Sequence, residues 1–159
     1  MFNLLFLCTH NSARSILGEV VTNAVGSSSF SAYSAGSNPS GQISPFALEV
    51  ASDLGVSTDA LYSKSWDEFL KPDAPRMDVV ITVCDAAANE VCPIWPGSPV
   101  TAHWGFADPS NLEGNEQKRD GFKAVSLEIE RRIMAVLTEM TMDSSREQLR
   151  YLFKKVADT

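Results

Sequence analysis

The sequence predicts an α/β fold, a single domain in which a four-stranded parallel sheet is flanked by helices. Three observations carry this expectation. Four short apolar runs with strand character are separated by stretches of helical periodicity, the alternation that βαβ crossovers produce. The chain has 159 residues, enough for one domain to bury roughly two-thirds of its unfolded surface without staples. Cys8, Cys84 and Asp108 fall at or just past the carboxyl ends of three different runs, which is where open parallel sheets bind ligands.

Taken in order, Phe2 to Leu7 reads as a short strand, buried on both faces, with Cys8 where the run ends. Six small or polar residues follow. From Arg14 the spacing turns helical, with Ile16, Leu17, Val20, Val21, Ala24 and Val25 on one face. Gly26 and three serines make a turn, and Phe30 to Ala35 is the second strand, ending at Gly36. Ser44-Pro45 starts a helix, since proline suits the first helical position. That helix runs to about Leu54, with Phe46, Val50 and Leu54 as its stripe and Gly55 as its stop.

A short helix capped by Ser65 comes next, then the strand from Asp78 to Val83, followed directly by Cys84. Residues 85–91 are alanine-rich and weakly helical, and Cys92 to Gly97 is a stiff loop. Val100 to Trp104 is the fourth strand, and Asp108-Pro109 leaves its carboxyl end. After a polar linker over residues 111–118, a long helix from about Gln117 to Met140 carries Phe122, Val125, Ile129, Ile133, Val136 and Leu137. Ser144 and Glu147 stand at capping-box spacing before a last amphipathic helix with Leu149, Leu152, Phe153 and Val156. The expected division is residues 1–141 as the domain and 142–159 as a C-terminal helical extension.

Composition narrows the function. A net charge of −7 argues against nucleic acid as a partner, because phosphate backbones need a basic footprint. No stretch reaches the eighteen or so apolar residues of a membrane span. The first apolar run has Asn3 inside it and no Lys or Arg before it, so it fails as a signal peptide and the expected location is the cytoplasm. Three cysteines in a reducing compartment are poor material for a disulfide framework, and at element ends they read as reactive.

The strand, loop and helix over residues 2–20 form a socket for a tetrahedral oxyanion, with backbone N–H groups pointing inward and a helix dipole behind them. Thr9, His10, Asn11, Ser12, Ala13, Arg14 and Ser15 line it. Cys8 is followed six residues later by Arg14, whereas Glu90 and Ser98 hold the matching places after Cys84 and Cys92. A thiolate is the nucleophilic form, and a helix N-terminus with a guanidinium favours it. The planar fork of Arg14 grips two oxygens of a phosphate-like group. Ser15 is placed to donate to the sulfur, Asn11 to shape the loop, and His10 reads as an exposed spacer rather than a base. Asp108 on its stiffened loop supplies an acid for an oxygen leaving group. Cys84 and Cys92, separated by seven residues, match neither a zinc knuckle nor a Cys-x-x-Cys motif. They fit a relay in which each thiol attacks the sulfur before it.

Cys8-Thr9-His10-Asn11-Ser12-Ala13-Arg14-Ser15, Ser34-Ala35-Gly36, Val83-Cys84-Asp85 and His103-Trp104-Gly105-x-x-Asp108-Pro109 together resemble the cytosolic arsenate reductases built on the low-molecular-weight tyrosine phosphatase fold. The resemblance implies that Cys8 attacks arsenate and Asp108 protonates the departing oxygen. It implies Cys84 as the second thiol and Cys92 as the third, with no bound cofactor and an external thiol reductant. Thioredoxin is favoured by the three cysteines; glutaredoxin with a small thiol, or a mycothiol-type system, serves other branches. It also implies a potassium site at Asn11, Glu19, Ser34 and Asp67. The runner-up is a tyrosine phosphatase using the same loop and acid, which has no need of Cys84 and Cys92. A non-catalytic oxyanion sensor has no need of Cys8 and Asp108.

Overall fold

Alternation along the first strand decides how the two sides of the sheet are filled. The computed structural model describes residues 1–89 and 93–158. Its strands β1 (Phe2–Cys8), β2 (Phe30–Gly36), β3 (Val79–Thr82) and β4 (Val100–His103) form one sheet in the order β2-β1-β3-β4, every pair parallel. Leu4, Phe6 and Cys8 enter the larger core cluster, and Leu5 and Leu7 the smaller one on the other face. β1 is apolar on both faces, and it takes a central place beside β3, whose Val80 and Ile81 divide between the two cores in the same way.

Helices α1 (Arg14–Val25), α4 (Asn115–Glu139) and α5 (Arg146–Ala157) supply apolar residues to the larger cluster, and α2 (Pro45–Asp53) packs against α1 and α4. α1 comes so close to the sheet that a Cβ on Gly18 would lie 2.4 Å from the Phe6 ring. On the opposite face, Phe69, Met77 and Trp95 from short or irregular segments join Leu5, Leu7 and Val80. No helix among the described residues is long and apolar enough to cross a membrane.

Local sequence explains the element boundaries, with three corrections. In α2 the Ser44 hydroxyl accepts the Phe46 N–H and Pro45 opens the helix, but the buried face is Ala47 and Ala51, and Leu54 is 40% exposed. Leu54 is the C-cap, where the chain is already leaving the packed face. α4 starts at Asn115, after Gly114 at φ 82°, so the last residues of the expected linker are its solvent-facing first turn. The capping box of α5 pairs Ser145 with Gln148, one residue beyond the expected pair. The Ser144 hydroxyl instead accepts the Thr141 N–H at 2.9 Å.

α5 packs as its stripe predicts, burying Leu149, Leu152, Phe153 and Val156 against β4 and α4. Trp104, fully buried just past β4, donates its indole N–H to the Phe153 carbonyl at 2.8 Å. The two rings stack at 5.6 Å. This anchor fixes the chain immediately before Asp108.

Candidate active site

The loop between β1 and α1 is shaped by what its carbonyls do. Thr9 C=O accepts the Asn38 N–H at 2.9 Å, His10 C=O the Ser40 N–H at 3.0 Å, and Ser12 C=O the Ser44 N–H at 2.9 Å. The carbonyls are thus turned outward onto residues 38–44. The peptide bonds of this loop are trans, with no cis bond among the described residues, so the N–H that follows each outward carbonyl points the other way, into the ring. Asn11 shows this directly, since its N–H donates to Cys8 Sγ at 3.2 Å. Asn11 sits at φ 49°, a left-handed conformation that asparagine tolerates better than most residues. Ala13 offers no side-chain cap to α1, which leaves the first N–H groups of that helix for a ligand.

Cys8 lies at the floor, 5% exposed. The Ser15 hydroxyl is 2.8 Å from its sulfur. The direction of that hydrogen bond follows from its neighbours. Asn11 Oδ1 accepts the Lys64 backbone N–H at 2.9 Å, which leaves Asn11 Nδ2 to donate to Ser15 Oγ at 2.8 Å. With its oxygen accepting there, Ser15 directs its own O–H at the sulfur. Two donors therefore converge on the Cys8 sulfur. Gly36, at the end of β2, lies against the loop: a Cβ there would sit 2.4 Å from the Thr9 carbonyl oxygen and 3.0 Å from the Asn11 nitrogen.

Arg14 and Asp108 meet above the socket. Arg14 Nη1 donates to the Phe106 carbonyl at 2.9 Å, and Nη2 lies 3.5 Å from Asp108 Oδ2. The other carboxylate oxygen of Asp108 accepts the Ser110 N–H at 2.9 Å, which fixes the side chain at the start of a 3₁₀ turn over Pro109–Asn111. Cys84, also buried, lies 3.8 Å from the Thr9 hydroxyl, so the second thiol touches the residue next to Cys8. It precedes the short helix α3 (Asp85–Asn89). The structure thus brings Cys8, Arg14, Asp108 and Cys84 together. Cys92 lies outside the described residues. His10 is exposed, with Nδ1 3.2 Å from the Asn38 carbonyl.

Behind the loop, Glu19 accepts the Ser34 hydroxyl at 2.7 Å and faces the Lys64 ammonium at 3.8 Å. Burial pushes the Glu19 carboxyl up, opposed by Lys64 and Ser34. Burial pushes Lys64 down, opposed by Glu19 and Glu68. The Lys64 ammonium thus faces Glu19, one of the residues expected to hold potassium. Asn11, Glu19 and Ser34 belong to this network, while Asp67 is exposed on the turn Trp66–Leu70. No group of three or more His, Cys, Asp or Glu side chains suited to a metal occurs among the described residues. Lys64 is the member that the sequence did not announce, because a lysine between two serines carries no signal of burial. The Phe106 carbonyl was equally silent, since a main-chain acceptor leaves no trace in residue type.

A family model described as low molecular weight phosphotyrosine protein phosphatase matches residues 3–146. An arsenate reductase of Halalkalibacterium halodurans is 36% identical over 129 residues, which are 80% of this chain and 89% of that protein. Among solved structures, a thioredoxin-dependent arsenate reductase of Corynebacterium glutamicum has a TM-score of 0.60 at 31% identity, over 87% of this chain and 61% of that one. An arsenate reductase of Archaeoglobus fulgidus has a TM-score of 0.64 at 25% identity, over 86% and 99% of the two chains. The chain belongs to the low molecular weight phosphotyrosine protein phosphatase family, in the part of it that holds these arsenate reductases.

Proposed function

We propose that the chain is an arsenate reductase that uses a thiol relay. The observation that carries this reading is the second buried thiol, Cys84, in contact with the loop that holds Cys8. A phosphatase resolves its intermediate with water and gains nothing from that thiol.

Arsenate binds in the ring of N–H groups with Arg14 on two of its oxygens. The Cys8 thiolate attacks arsenic; an As–S bond forms, an As–O bond breaks, and Asp108 gives its proton to the departing oxygen, which leaves as water. The Cys84 thiolate then attacks Cys8 Sγ. An S–S bond forms and the S–As electron pair stays on arsenic, so As(V) becomes As(III) and arsenite departs. Cys92 attacks Cys84 in turn, freeing Cys8 and leaving a Cys84–Cys92 disulfide for an external dithiol to reduce. Eight residues of continuous helix would hold the two Cα atoms about 12 Å apart. A disulfide needs less than about 7 Å, so the segment after Cys84 must leave helical geometry for this step. Thioredoxin is the favoured dithiol, supported by the thioredoxin dependence of the C. glutamicum relative. No bound cofactor is required, and the setting is arsenic detoxification in the cytoplasm. The same loop and acid support slow phosphomonoester hydrolysis as a side reaction.

The test is NADPH oxidation coupled to arsenate, run with thioredoxin and its reductase and separately with glutathione and glutaredoxin. Cys8→Ser abolishes turnover in both. Cys84→Ser releases no more than one arsenite per chain with thioredoxin. Normal thioredoxin-driven turnover by both Cys84→Ser and Cys92→Ser refutes the relay.

A further inference from the structure

Arg132 lies on the inward side of α4 and is only 8% exposed. A guanidinium carries five N–H donors and is buried at a cost unless acceptors meet them. Arg132 is poorly supplied with them. Nε donates to Glu128 at 3.0 Å, while the buried Nη1 has no hydrogen-bond partner among the described residues. Its plane is instead held by aromatic faces, with the guanidinium carbon 4.8 Å from the centre of the Phe106 ring and 5.7 Å from that of Trp104. A leucine or methionine at this position would fill the same space without an orphaned donor, so stability alone does not call for arginine here.

The ring that Arg132 covers belongs to the residue whose carbonyl positions Arg14. Phe106 C=O accepts from Arg14 Nη1 at 2.9 Å, and two residues later Asp108 reaches Arg14 Nη2 at 3.5 Å. Past β4, the stretch between Trp104 and Pro109 has no regular structure. Its ties include the Trp104 anchor, whose main-chain N–H also reaches the Thr82 carbonyl at 2.8 Å, hydrogen bonds from the Phe106 N–H to the Val83 carbonyl and from the Asn111 N–H to the Asp108 carbonyl, each at 3.2 Å, and the stack on Arg132.

We propose that Arg132 is a positioning residue for the acid: stacked on Phe106, it holds the segment Phe106–Asp108 so that the Phe106 carbonyl and the Asp108 carboxylate meet Arg14 together. A flat cation is what the stack uses, and lysine lacks the plane. The inference rests on the proposed role of Asp108 as the proton donor.

Two aryl phosphates of different leaving group test it on the full chain. Nitrophenolate departs with little help, whereas phenolate needs a proton. Arg132→Met loses about tenfold in kcat on phenyl phosphate, a fraction of what a general acid supplies, and little on p-nitrophenyl phosphate. Added to Asp108→Asn, it loses nothing further. Phe106→Leu, which keeps the main chain and removes the stacked ring, reproduces the pattern and stands in should Arg132→Met fail to fold. The same double-mutant cycle, read as the rate of arsenite release in a single turnover with arsenate, serves if aryl phosphates turn over too slowly. Equal losses on both esters, an undiminished loss on the Asp108→Asn background, or no loss at all overturns the proposal. Asp108→Asn failing by itself to separate the two esters, or slow arsenite release, overturns the assignment of the acid instead.

Discussion

Removing the Ser15 hydroxyl probes the chemistry of the nucleophile with the smallest change to the fold. Ser15 is fully buried and its oxygen lies 2.8 Å from Cys8 Sγ. A hydrogen bond to a charged group contributes about 1.5–3 kcal/mol, so a donor held on the reacting sulfur is worth roughly tenfold to a hundredfold in an equilibrium or a rate. The expectation for Ser15→Ala is a several-fold change in the rate at which iodoacetamide alkylates Cys8 at neutral pH. The rate is followed by mass spectrometry in a chain whose Cys84 and Cys92 are serines. The rate of arsenate-dependent formation of the Cys8 adduct changes with it. The substitution also strands Asn11 Nδ2, which donates to the same oxygen; an unsatisfied buried donor costs about 1–3 kcal/mol and lowers the melting temperature by several degrees. A Ser15→Ala chain that loses this stability yet alkylates at the unaltered rate would show that the hydroxyl serves the loop and not the sulfur.

Three further outcomes follow from the same geometry. Gly36→Ala forces a Cβ against main-chain atoms of Thr9 and Asn11, an overpacking worth about 1–3 kcal/mol; phosphate binding measured by calorimetry weakens by about tenfold or more, and unchanged affinity contradicts the contact. Phe153→Ala removes the ring stacked on Trp104 at a cost of about 3–5 kcal/mol, seen as an earlier denaturation midpoint, and a midpoint within error of the parent chain would mean that α5 is dispensable. Glu128 is held below its ordinary value chiefly by its hydrogen bond with Arg131, which outweighs the opposing effect of burial, and then by Arg132. Its contribution is complete above the unfolded value near 4.5 and is lost as pH falls through the lower folded one. For partly exposed helix pairs this is only about 0.3–0.5 kcal/mol, so Glu128→Gln flattens acid unfolding slightly and leaves neutral stability almost unchanged.

What the sequence disclosed and what it withheld divide along a physical line. The residues proposed to carry the chemistry could be placed from type and position alone: Cys8, Arg14, Asp108 and Cys84 stand at element ends, and a parallel sheet collects those ends on one edge. Hydrophobic period likewise placed β1, α1 and α5, because long apolar stripes outweigh local detail. Boundaries failed where polar residues compete. Ser144 and Ser145 are equally good caps by type, and only the Thr141 N–H, which occupies Ser144, decides between them. Supporting groups were hidden for a different reason. Lys64 and Arg132 are charged, and a charged residue in a polar stretch or beside an i,i+4 partner reads as solvent-facing. Each is buried because the fold closes over it, Lys64 against Glu19 and Arg132 beneath Phe106. Both lie one contact behind the reacting residues: Lys64 through its N–H on Asn11, which orients Ser15, and Arg132 through Phe106, which orients Arg14. The proposed nucleophile is therefore oriented through a main-chain donor that residue type does not display, and the proposed acid through an arginine whose type gives no hint of the role. On the proposed role of Arg132, a sequence that kept Cys8, Arg14 and Asp108 but lost that arginine would carry the same visible motif with its acid no longer aimed.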